Sequence, residues 1–346
     1  MAIVVNGKKV AGVGLPGKSA YQAAVDGGFT GNEQEFNESL AKRNIATRRN
    51  LLDNWYFVGG GSQQGGGQFP INQRGETSYT GNTYGIDRFK ILRGRSNAIT
   101  INDDWMTITF NEIGVFGQII ENVSIFSGQT VTISALCGDL DNDLLLRLHV
   151  NGSLLGSVNC YPNTITSNTI KLPTDLTSIQ FEFGSASKVP TSYSVAVIAA
   201  KLEFGPTQTL AYQDEGGNWQ LFETPDYAEE LARCQRYLLV LPGFNTLFSN
   251  IGVGSFFSET EAEITIPTPT TMRIMPTCAA TGNWLLRGGG QLINVEAGAS
   301  NFFVQQMSSN AVSMVINGLS GCPANQATQL LRSNNSTAKI TLSAEL

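Results

Sequence analysis

The chain has 346 residues, which is the length of two or three domains, and its formal net charge is −6. Charged residues make up only 14% of it, where an ordinary soluble domain carries about 25%, and Gly, Ser, Thr and Asn take their place. This acidic composition offers no phosphate-binding face and argues against a nucleic-acid partner. No apolar run approaches the roughly 20 residues of a membrane-spanning helix. The first residues, MAIVVNGKKV, lack the apolar stretch and cleavage site of a secretory signal.

Residues 1–50 form a short segment that is unlike the rest of the chain. The Asn-Gly pair at 6–7 predicts a hairpin after a short strand. Ser19 and Asn32 are predicted N-caps of two short helices, and Glu35 completes a capping box with Asn32. The segment is too small to be stable alone, so we expect it to pack against copies of itself or another protein.

Residues 51–206 consist of strand-sized runs that Gly, Asn, Asp and Pro separate at short intervals. This pattern favours a β-sandwich or jelly roll over βαβ units. The Asn-Gly pair at 151–152, between two strand-like runs, predicts a tight hairpin.

Residues 207–240 are predicted to connect two β-sandwiches. The Gly pair at 216–217 indicates a small hairpin, and a helix is predicted from Asp226 to about Leu239. Residues 241–346 return to short strands and predict a second sandwich. The apolar face of the helix is predicted to comprise Tyr227, Leu231, Cys234 and Leu238.

The five cysteines are odd in number, far apart and never arranged as C-x-x-C. This usage favours buried free thiols in a protein made in a reducing cytoplasm over a disulfide framework or a zinc site. They are Cys137, Cys160, Cys234, Cys278 and Cys322.

Three separated passages resemble phage and prophage tail-fibre proteins. The first is GKSAYQAAVDGGFTGNEQEFNESL (Gly17–Leu40), and the second is NLLDNWYF (Asn50–Phe57) with YGIDRFKI (Tyr84–Ile91). The third is PDYAEELARCQRYL (Pro225–Leu238), and the final SAEL (Ser343–Leu346) resembles the usual end of such fibre tips.

Two departures from the family pattern accompany this resemblance. Phe89 stands where the family often has Trp, and no collagen-like repeat follows the first passage. The resemblance implies a homotrimeric fibre with an N-terminal attachment region, a carbohydrate-binding-like sandwich and a distal β tip. It also implies host cell-surface glycans and other virion proteins as partners.

Catalysis has little support in the sequence. The only histidine, His149, alternates with buried positions in a strand and is predicted to be exposed. Carboxylates suited to glycoside hydrolysis occur as the pair Asp103-Asp104 and as the alternating Glu259, Glu261 and Glu263. These carboxylates are equally compatible with solvated positions in a loop and on one strand face. We therefore expect no enzymatic activity.

The segment 138–143 is the best cation candidate. Asp139, Asp141 and Asp143 alternate, as hard oxygen ligands of calcium do. Leu144 replaces the glycine of an EF-hand loop, and the distal Glu is absent. The sequence therefore leaves two alternatives open, a structural calcium site or a solvated turn, and no other cofactor is expected.

Aromatic side chains among polar loop residues are candidates for sugar binding, because a pyranose face packs on a flat ring. Core packing is the alternative for each of them. The predicted glycan contacts are Tyr79, Tyr84, Trp105, Trp284 and Phe302.

The sequence therefore predicts a mainly β fold with two jelly-roll-like sandwiches joined by a short helix, behind a small helical N-terminal attachment region. The first functional hypothesis is a non-enzymatic tail fibre that binds a host glycan, assembled in the bacterial cytoplasm and located in the virion. A head fibre or capsid decoration protein attached through residues 1–50 is the second hypothesis. A polysaccharide depolymerase is the third.

Overall fold

The structure is a computed structural model of the chain. It describes residues 3–5, 8–11, 19–28, 30–36, 49–59, 69–76, 78–80, 83–93, 96–111, 114–141, 143–185, 192–242, 248–298, 301–333 and 337–346. The chain forms two compact units, Met1–Arg49 and Asn50–Leu346.

The first unit contains a strand pair and short helices. Strands β1 (Ile3–Val5) and β2 (Lys8–Ala11) pair antiparallel, and helix α1 covers Ala20–Asp26. The predicted turn at 6–7 lies outside the described residues. Ser19 caps α1 as predicted, because its Oγ accepts a hydrogen bond from the third helical residue at 3.1 Å.

The predicted capping box is also present in this unit. The backbone N–H of Asn32 donates to Glu35 Oε2 at 2.7 Å, and the N–H of Glu35 donates to Asn32 Oδ1 at 2.9 Å. Residues 33–36 are helical. The rings of Tyr21 and Phe36 lie 5.8 Å apart, so the two short helices contact each other.

The second unit begins with an antiparallel β-sandwich around one hydrophobic core. Its five-stranded sheet has the order β10-β9-β12-β7-β4, and its six-stranded sheet has the order β11-β8-β13-β6-β5-β3. The strands are β3 (Ser78–Thr80), β4 (Lys90–Arg93), β5 (Ser96–Ile101), β6 (Met106–Asn111), β7 (Val115–Ile119), β8 (Thr130–Leu140), β9 (Leu144–Val150), β10 (Ser153–Cys160), β11 (Ile165–Lys171), β12 (Ile179–Ser185) and β13 (Tyr193–Phe204). A 3-10 helix covers Val123–Phe126.

The turn between β9 and β10 is the hairpin that the sequence predicts. Asn151 and Gly152 both have positive φ, 51° and 77°, which is the backbone of a type I′ turn. Asn is tolerated and Gly is favoured in this conformation, so local sequence chemistry sets the register of the pair.

The connection between the sandwiches contains a hairpin and a helix. Strands β14 (Ala211–Gln213) and β15 (Trp219–Leu221) pair across the predicted glycine turn. Helix α2 covers Tyr227–Gln235, with Asp226 as its N-cap. The predicted extension to Leu239 is wrong, because residues 238–241 pair as a strand with the end of the chain.

The apolar face of α2 packs within its own chain. Tyr227, Leu231 and Cys234 lie against Phe69 and Ile71, so three of the four predicted inward residues share one small core. Copies of the chain are therefore not needed to cover this face.

The second β-sandwich encloses its own core between a three-stranded and a seven-stranded sheet. Their orders are β16-β25-β19 and β21-β20-β24-β17-β18-β23-β22, and all recorded pairings are antiparallel. The strands are β16 (Leu238–Leu241), β17 (Asn250–Phe256), β18 (Glu261–Pro267), β19 (Thr277–Thr281), β20 (Asn283–Gly288), β21 (Gln291–Glu296), β22 (Phe302–Met307), β23 (Ala311–Asn317), β24 (Ala327–Arg332) and β25 (Lys339–Ser343).

The fold is thus mainly β, with several antiparallel sheets, as the sequence predicts. Over the part of the chain that the structure describes, no helix has the length and apolar character needed to cross a membrane.

Candidate functional site

Two of the five predicted sugar-binding aromatics are core residues. Trp284 is fully buried, and its Nε1–H donates to the carbonyl of Thr281 at 3.1 Å. Phe302 is buried beside it, with the two ring centroids 6.4 Å apart. This placement corrects the prediction, because neither ring can reach a ligand. The alternation of Trp284 with the buried Leu286 was the sequence signal for an inward-facing position.

Tyr84 belongs to a structural contact. Its hydroxyl donates to the backbone carbonyl of Leu346, and cationic groups of Arg74 and Lys90 each lie 5.3 Å from the ring centroid. Burial, followed by the charge of Glu345, raises the pKa of Tyr84. The ring is therefore engaged within the chain. The side chain of Tyr79, in β3, lies outside the described residues.

Trp105 is the predicted aromatic that the structure leaves available. A hydrogen bond of 2.9 Å from the N–H of Asn102 to the carbonyl of Trp105 closes the turn between β5 and β6. The indole is half-buried, and its Nε1–H has no partner among the residues described. The carboxylates of Asp103 and Asp104 are exposed beside it. A flat ring, a free donor and two acceptors therefore meet at one turn.

Small residues on neighbouring strands form the base under this indole. A Cβ on Gly138 would lie 3.9 Å from Trp105 Cε3, so the ring packs against the β8 backbone there. The same Cβ would be 3.0 Å from the Cβ of Ala196, which leaves little space for a larger residue. We call Asp103, Asp104 and Trp105 the Trp105 platform. It offers the stacking surface and hydrogen-bonding groups that a sugar ring requires.

The predicted calcium ligands are not brought together. Asp139, Asp141 and Asp143 are exposed, and Asp139 Oδ1 accepts a hydrogen bond from Asn163 at 3.1 Å. Alternate residues on an extended chain are about 7 Å apart, which separates their carboxylates unless the chain folds back. Within the described ranges, no group of three or more His, Cys, Asp or Glu side chains could hold a metal ion.

His149 is buried, so the prediction of an exposed strand residue is wrong. Its Nε2 lies 3.3 Å from the fully buried carboxylate of Glu182, and Arg93 pairs with the same carboxylate at 3.2 Å. Burial, and then the charges of Arg93 and Arg147, lower the pKa of His149, so the imidazole is neutral at pH 7. Long arginine side chains cover this face of the sheet, which simple alternation does not reveal.

The second and third fibre-like passages converge on one buried polar network. The Asp53 carboxylate forms ion pairs with Arg88 at 2.9 Å and with Arg233 at 2.8 Å. Glu230 pairs with Arg233 at 2.6 Å and accepts from the N–H of Asn54 at 2.6 Å. Burial raises the pKa of Glu230, while Arg233 and the Asn54 hydrogen bond act against that shift.

The same network extends to the second sandwich. Gln73 Nε2 donates to Asp87 Oδ2 at 2.6 Å and to the carbonyl of Leu238 at 2.7 Å. The Arg88 guanidinium lies 3.5 Å from the centroid of the Tyr237 ring. These contacts join the two sandwiches through buried hydrogen bonds, and we call them the inter-sandwich joint.

The final residues of the chain complete the inter-sandwich joint. Arg74 pairs with Glu345 at 3.1 Å, and the SAEL segment thereby contacts the first sandwich. Residue-by-residue reasoning had given these charged residues no role. The fibre-like passages were the signal that could have found them, since the second passage, the third passage and the final SAEL all contribute contacts to the joint.

Comparisons with known proteins give no family for this chain. No family model matches it, and no curated protein matches it. Solved structures similar to it include the N-terminal CBM22-1-CBM22-2 tandem domain of Xyn10C from Paenibacillus barcinonensis, at 9% identity over 86% of this chain and 98% of that chain, with a TM-score of 0.23. The tandem CBM51 modules of Sp3GH98, a family 98 glycoside hydrolase from Streptococcus pneumoniae SP3-BS71, show 11% identity over 74% and 87%, with a TM-score of 0.18.

A third similar structure is an anti-sigma factor domain-containing protein. It shows 11% identity over 70% of this chain and 76% of that chain, with a TM-score of 0.17. Similarities this weak do not transfer a function, so the functional argument depends on the residues of this chain.

Proposed function

We propose that this protein is a non-enzymatic structural protein of a bacteriophage-type particle, a tail fibre that binds a host cell-surface glycan. The observation that carries the ligand-binding part is the Trp105 platform. Its half-exposed indole has a donor without a described partner, and the two residues that precede it carry exposed carboxylates. Such a surface suits a neutral or weakly polar sugar ring, which offers an apolar face and surrounding hydroxyls.

The inter-sandwich joint supports the particle part of the proposal. The second passage, the third passage and the final SAEL lie far apart in sequence, and the second contacts both of the others in the fold. Two sandwiches that share a buried polar network are held to each other by it, which suits a component of a durable particle. The compact unit of residues 1–49 is the attachment region in this proposal. A head fibre attached through the same residues is the second candidate.

The substitution Trp105→Ala tests the ligand site. It should weaken binding to host cells or their isolated surface polysaccharide by at least about tenfold, roughly 1.4 kcal/mol, because the stacking surface is removed. Its thermal midpoint should fall only modestly, because the ring is half-buried and packs against β8 at one edge of the turn. Tyr161→Ala is the matched control, because it removes another aromatic ring that is 58% exposed.

The comparison of these two variants decides whether Trp105 is part of the ligand-binding surface. If Trp105→Ala binds as well as Tyr161→Ala and the unmodified protein, Trp105 is not the ligand surface. The same polysaccharide should release no reducing ends on incubation with the protein. Release of reducing ends would favour the depolymerase hypothesis.

Removal of residues 1–49 tests the attachment proposal. The remaining unit has both sandwich cores, so it should fold, bind host cells and compete with intact particles. It should fail to join particles in an assembly assay. Normal incorporation of the truncated protein would contradict the proposed attachment region.

Light scattering on the full chain tests the proposed homotrimer. We expect three copies of the 37.2 kDa chain, and a stable monomer at micromolar concentration would contradict the proposal. The homotrimer is proposed from the small size of the first unit and from the resemblance to tail fibres. The apolar face of α2 does not support it, because that face is covered within its own chain.

A further inference from the structure

Two cysteines of the first sandwich face the same core from opposite sheets. Cys137 lies in β8 of the six-stranded sheet, and Cys160 is the last residue of β10 in the five-stranded sheet. Cys137 lies two residues after the buried Ala135, on the same side of its strand. Cys160 pairs with the buried Leu144 of β9 and shares its inward side. Both thiols are free, and both residues are buried in one hydrophobic core.

The connection between β10 and β11 brings these two thiols together. It spans only residues 161–164 and carries the chain from one sheet to the other. The N–H of Cys137 donates to the carbonyl of Thr164 at 3.5 Å, so the end of this connection is held against β8. The Cys160 thiol is a hydrogen-bonding neighbour of the Cys137 thiol. That contact, followed by burial, raises the pKa of Cys137.

The other three cysteines lie in other cores. Cys234 is in the small core under α2, and Cys278 and Cys322 belong to the second sandwich. The Sγ of Cys278 lies 3.8 Å from the Sδ of Met314, a thioether that forms no disulfide. Cys137 and Cys160 are therefore the pair that the described fold places for a covalent link.

Strand β10 is the part of this arrangement that opens most readily. It lies at the edge of its sheet beside β9, and most of its residues are exposed. Segments with few buried contacts open locally at a lower free energy than the core of a fold. Strand β8 lies between β11 and β13. Cys160 therefore reaches solvent when the end of β10 opens, while Cys137 stays in place.

We propose that Cys137 and Cys160 form a disulfide between the two sheets when the folded protein meets a disulfide oxidant such as oxidised glutathione. The Cys160 thiolate attacks one sulfur of the oxidant and displaces a glutathione thiolate, which leaves a mixed disulfide on Cys160. The Cys137 thiolate then attacks Cys160 Sγ and displaces the second glutathione. Two protein thiols are oxidised, one glutathione disulfide is reduced to two thiols, and the two protons pass to the departing thiolates.

The two states of this pair suit two surroundings. In a reducing compartment both cysteines stay as thiols, and an oxidising medium forms the bond. The second step is slow at neutral pH, because the raised pKa of Cys137 keeps its thiol protonated. A disulfide that closes a loop of about 20 residues constrains the unfolded chain, so the oxidised protein is the more stable form.

Peptide mapping of the full-length protein tests the proposal. The protein is incubated with oxidised glutathione, its remaining thiols are blocked with iodoacetamide in denaturant, and its tryptic peptides are identified by mass spectrometry. We expect one pair of peptides linked through Cys137 and Cys160, and iodoacetamide on the other three of the five cysteines. The thermal midpoint should rise by about 5 °C and return to its starting value with dithiothreitol. A non-reducing gel should show a single chain.

Serine variants supply the controls. Cys160→Ser should lose both the link and the rise in thermal midpoint. Cys278→Ser is the matched control, because it removes a half-buried thiol of the second sandwich, and it should keep both. If Cys160→Ser does not fold, the peptide map of the unmodified protein still decides the question. Five unlinked cysteines after oxidation, a stable glutathione adduct on Cys160, or links between chains would each overturn the proposal.

Discussion

Replacement of Asn54 by alanine is expected to lower the free energy of unfolding by about 2 to 6 kcal/mol. The Asn54 amide donates to the carbonyls of Ile71 and Asp87, at 2.9 and 2.8 Å, and accepts from the N–H of Ile71 at 2.7 Å. Asn54 is fully buried, so truncation leaves the Ile71 N–H and the Asp87 carbonyl without this partner and without water, whereas the Ile71 carbonyl keeps its hydrogen bond from the Asp87 N–H at 2.9 Å. Each such group is unfavourable by about 1 to 3 kcal/mol. Urea denaturation followed by tryptophan fluorescence measures the change.

Asn122→Ala is the matched control for the backbone conformation. Asn54 and Asn122 have almost the same left-handed φ, 56° and 54°, so alanine has the same conformational penalty at both. The Asn122 side chain is exposed and makes no capping hydrogen bond. The difference between the variants therefore reports the buried hydrogen bonds of the inter-sandwich joint. Equal losses in the two variants would show that those bonds contribute nothing.

Stability is expected to fall as pH rises through the range from about 4 to 7, against the usual behaviour of carboxylates. Burial raises the pKa of Asp87 to about 7, although hydrogen bonds from Gln73 and the charge of Arg74 act in the opposite direction. An unfolded Asp has a pKa near 3.9, so between these values the folded state binds one more proton. This group alone then lowers the free energy of unfolding by about 1.4 kcal/mol for each unit of rising pH.

The direction of this pH dependence follows from which state binds the proton. Between the two pKa values, the folded state binds it and the unfolded state does not. The stabilisation is fully present below the unfolded pKa and is lost as pH approaches the folded value of about 7. Burial also raises the pKa of Glu230 and Glu345 in the same joint, so their contributions have the same sign. Urea denaturation at pH 5, 6, 7 and 8 measures the slope, and Asp87→Asn should flatten it. Stability that increases from pH 5 to 7 by the same amount in both proteins would contradict this account.

Local chemistry makes several parts of this fold predictable. Ser19 caps α1, Asn32 and Glu35 form a capping box, and the 151–152 turn has positive φ at both residues. Each of these features depends on hydrogen bonds or backbone preferences within four residues of chain. The mainly β class follows equally from alternation and turn residues.

The end of α2 shows where local chemistry stops being sufficient. The apolar run after Gln235 continues a helical pattern in sequence, yet Leu238–Leu241 forms a strand with Lys339–Ser343. The intrinsic helix propensities of these residues are similar and do not decide their conformation. Pairing with the last strand gives hydrogen-bond partners to the backbone of all four residues at once. A partner about 100 residues away therefore decides the conformation.

The candidate binding residues also depend partly on local sequence and partly on tertiary structure. Polar neighbours in the sequence made Trp105, Trp284 and Phe302 equal candidates, and only burial distinguishes the accessible Trp105 from the core residues Trp284 and Phe302.

The sequence by itself determined the fold class, the short capped helices, the tight turns and the fibre-like passages. The tertiary structure alone decided which aromatics are accessible, why His149 is buried, and that the second passage, the third passage and the final SAEL form one joint between two sandwiches. The physical reason is the range of the interactions. Caps and turns are closed by neighbouring residues, whereas burial, sheet pairing and the polar network depend on residues that only folding brings together.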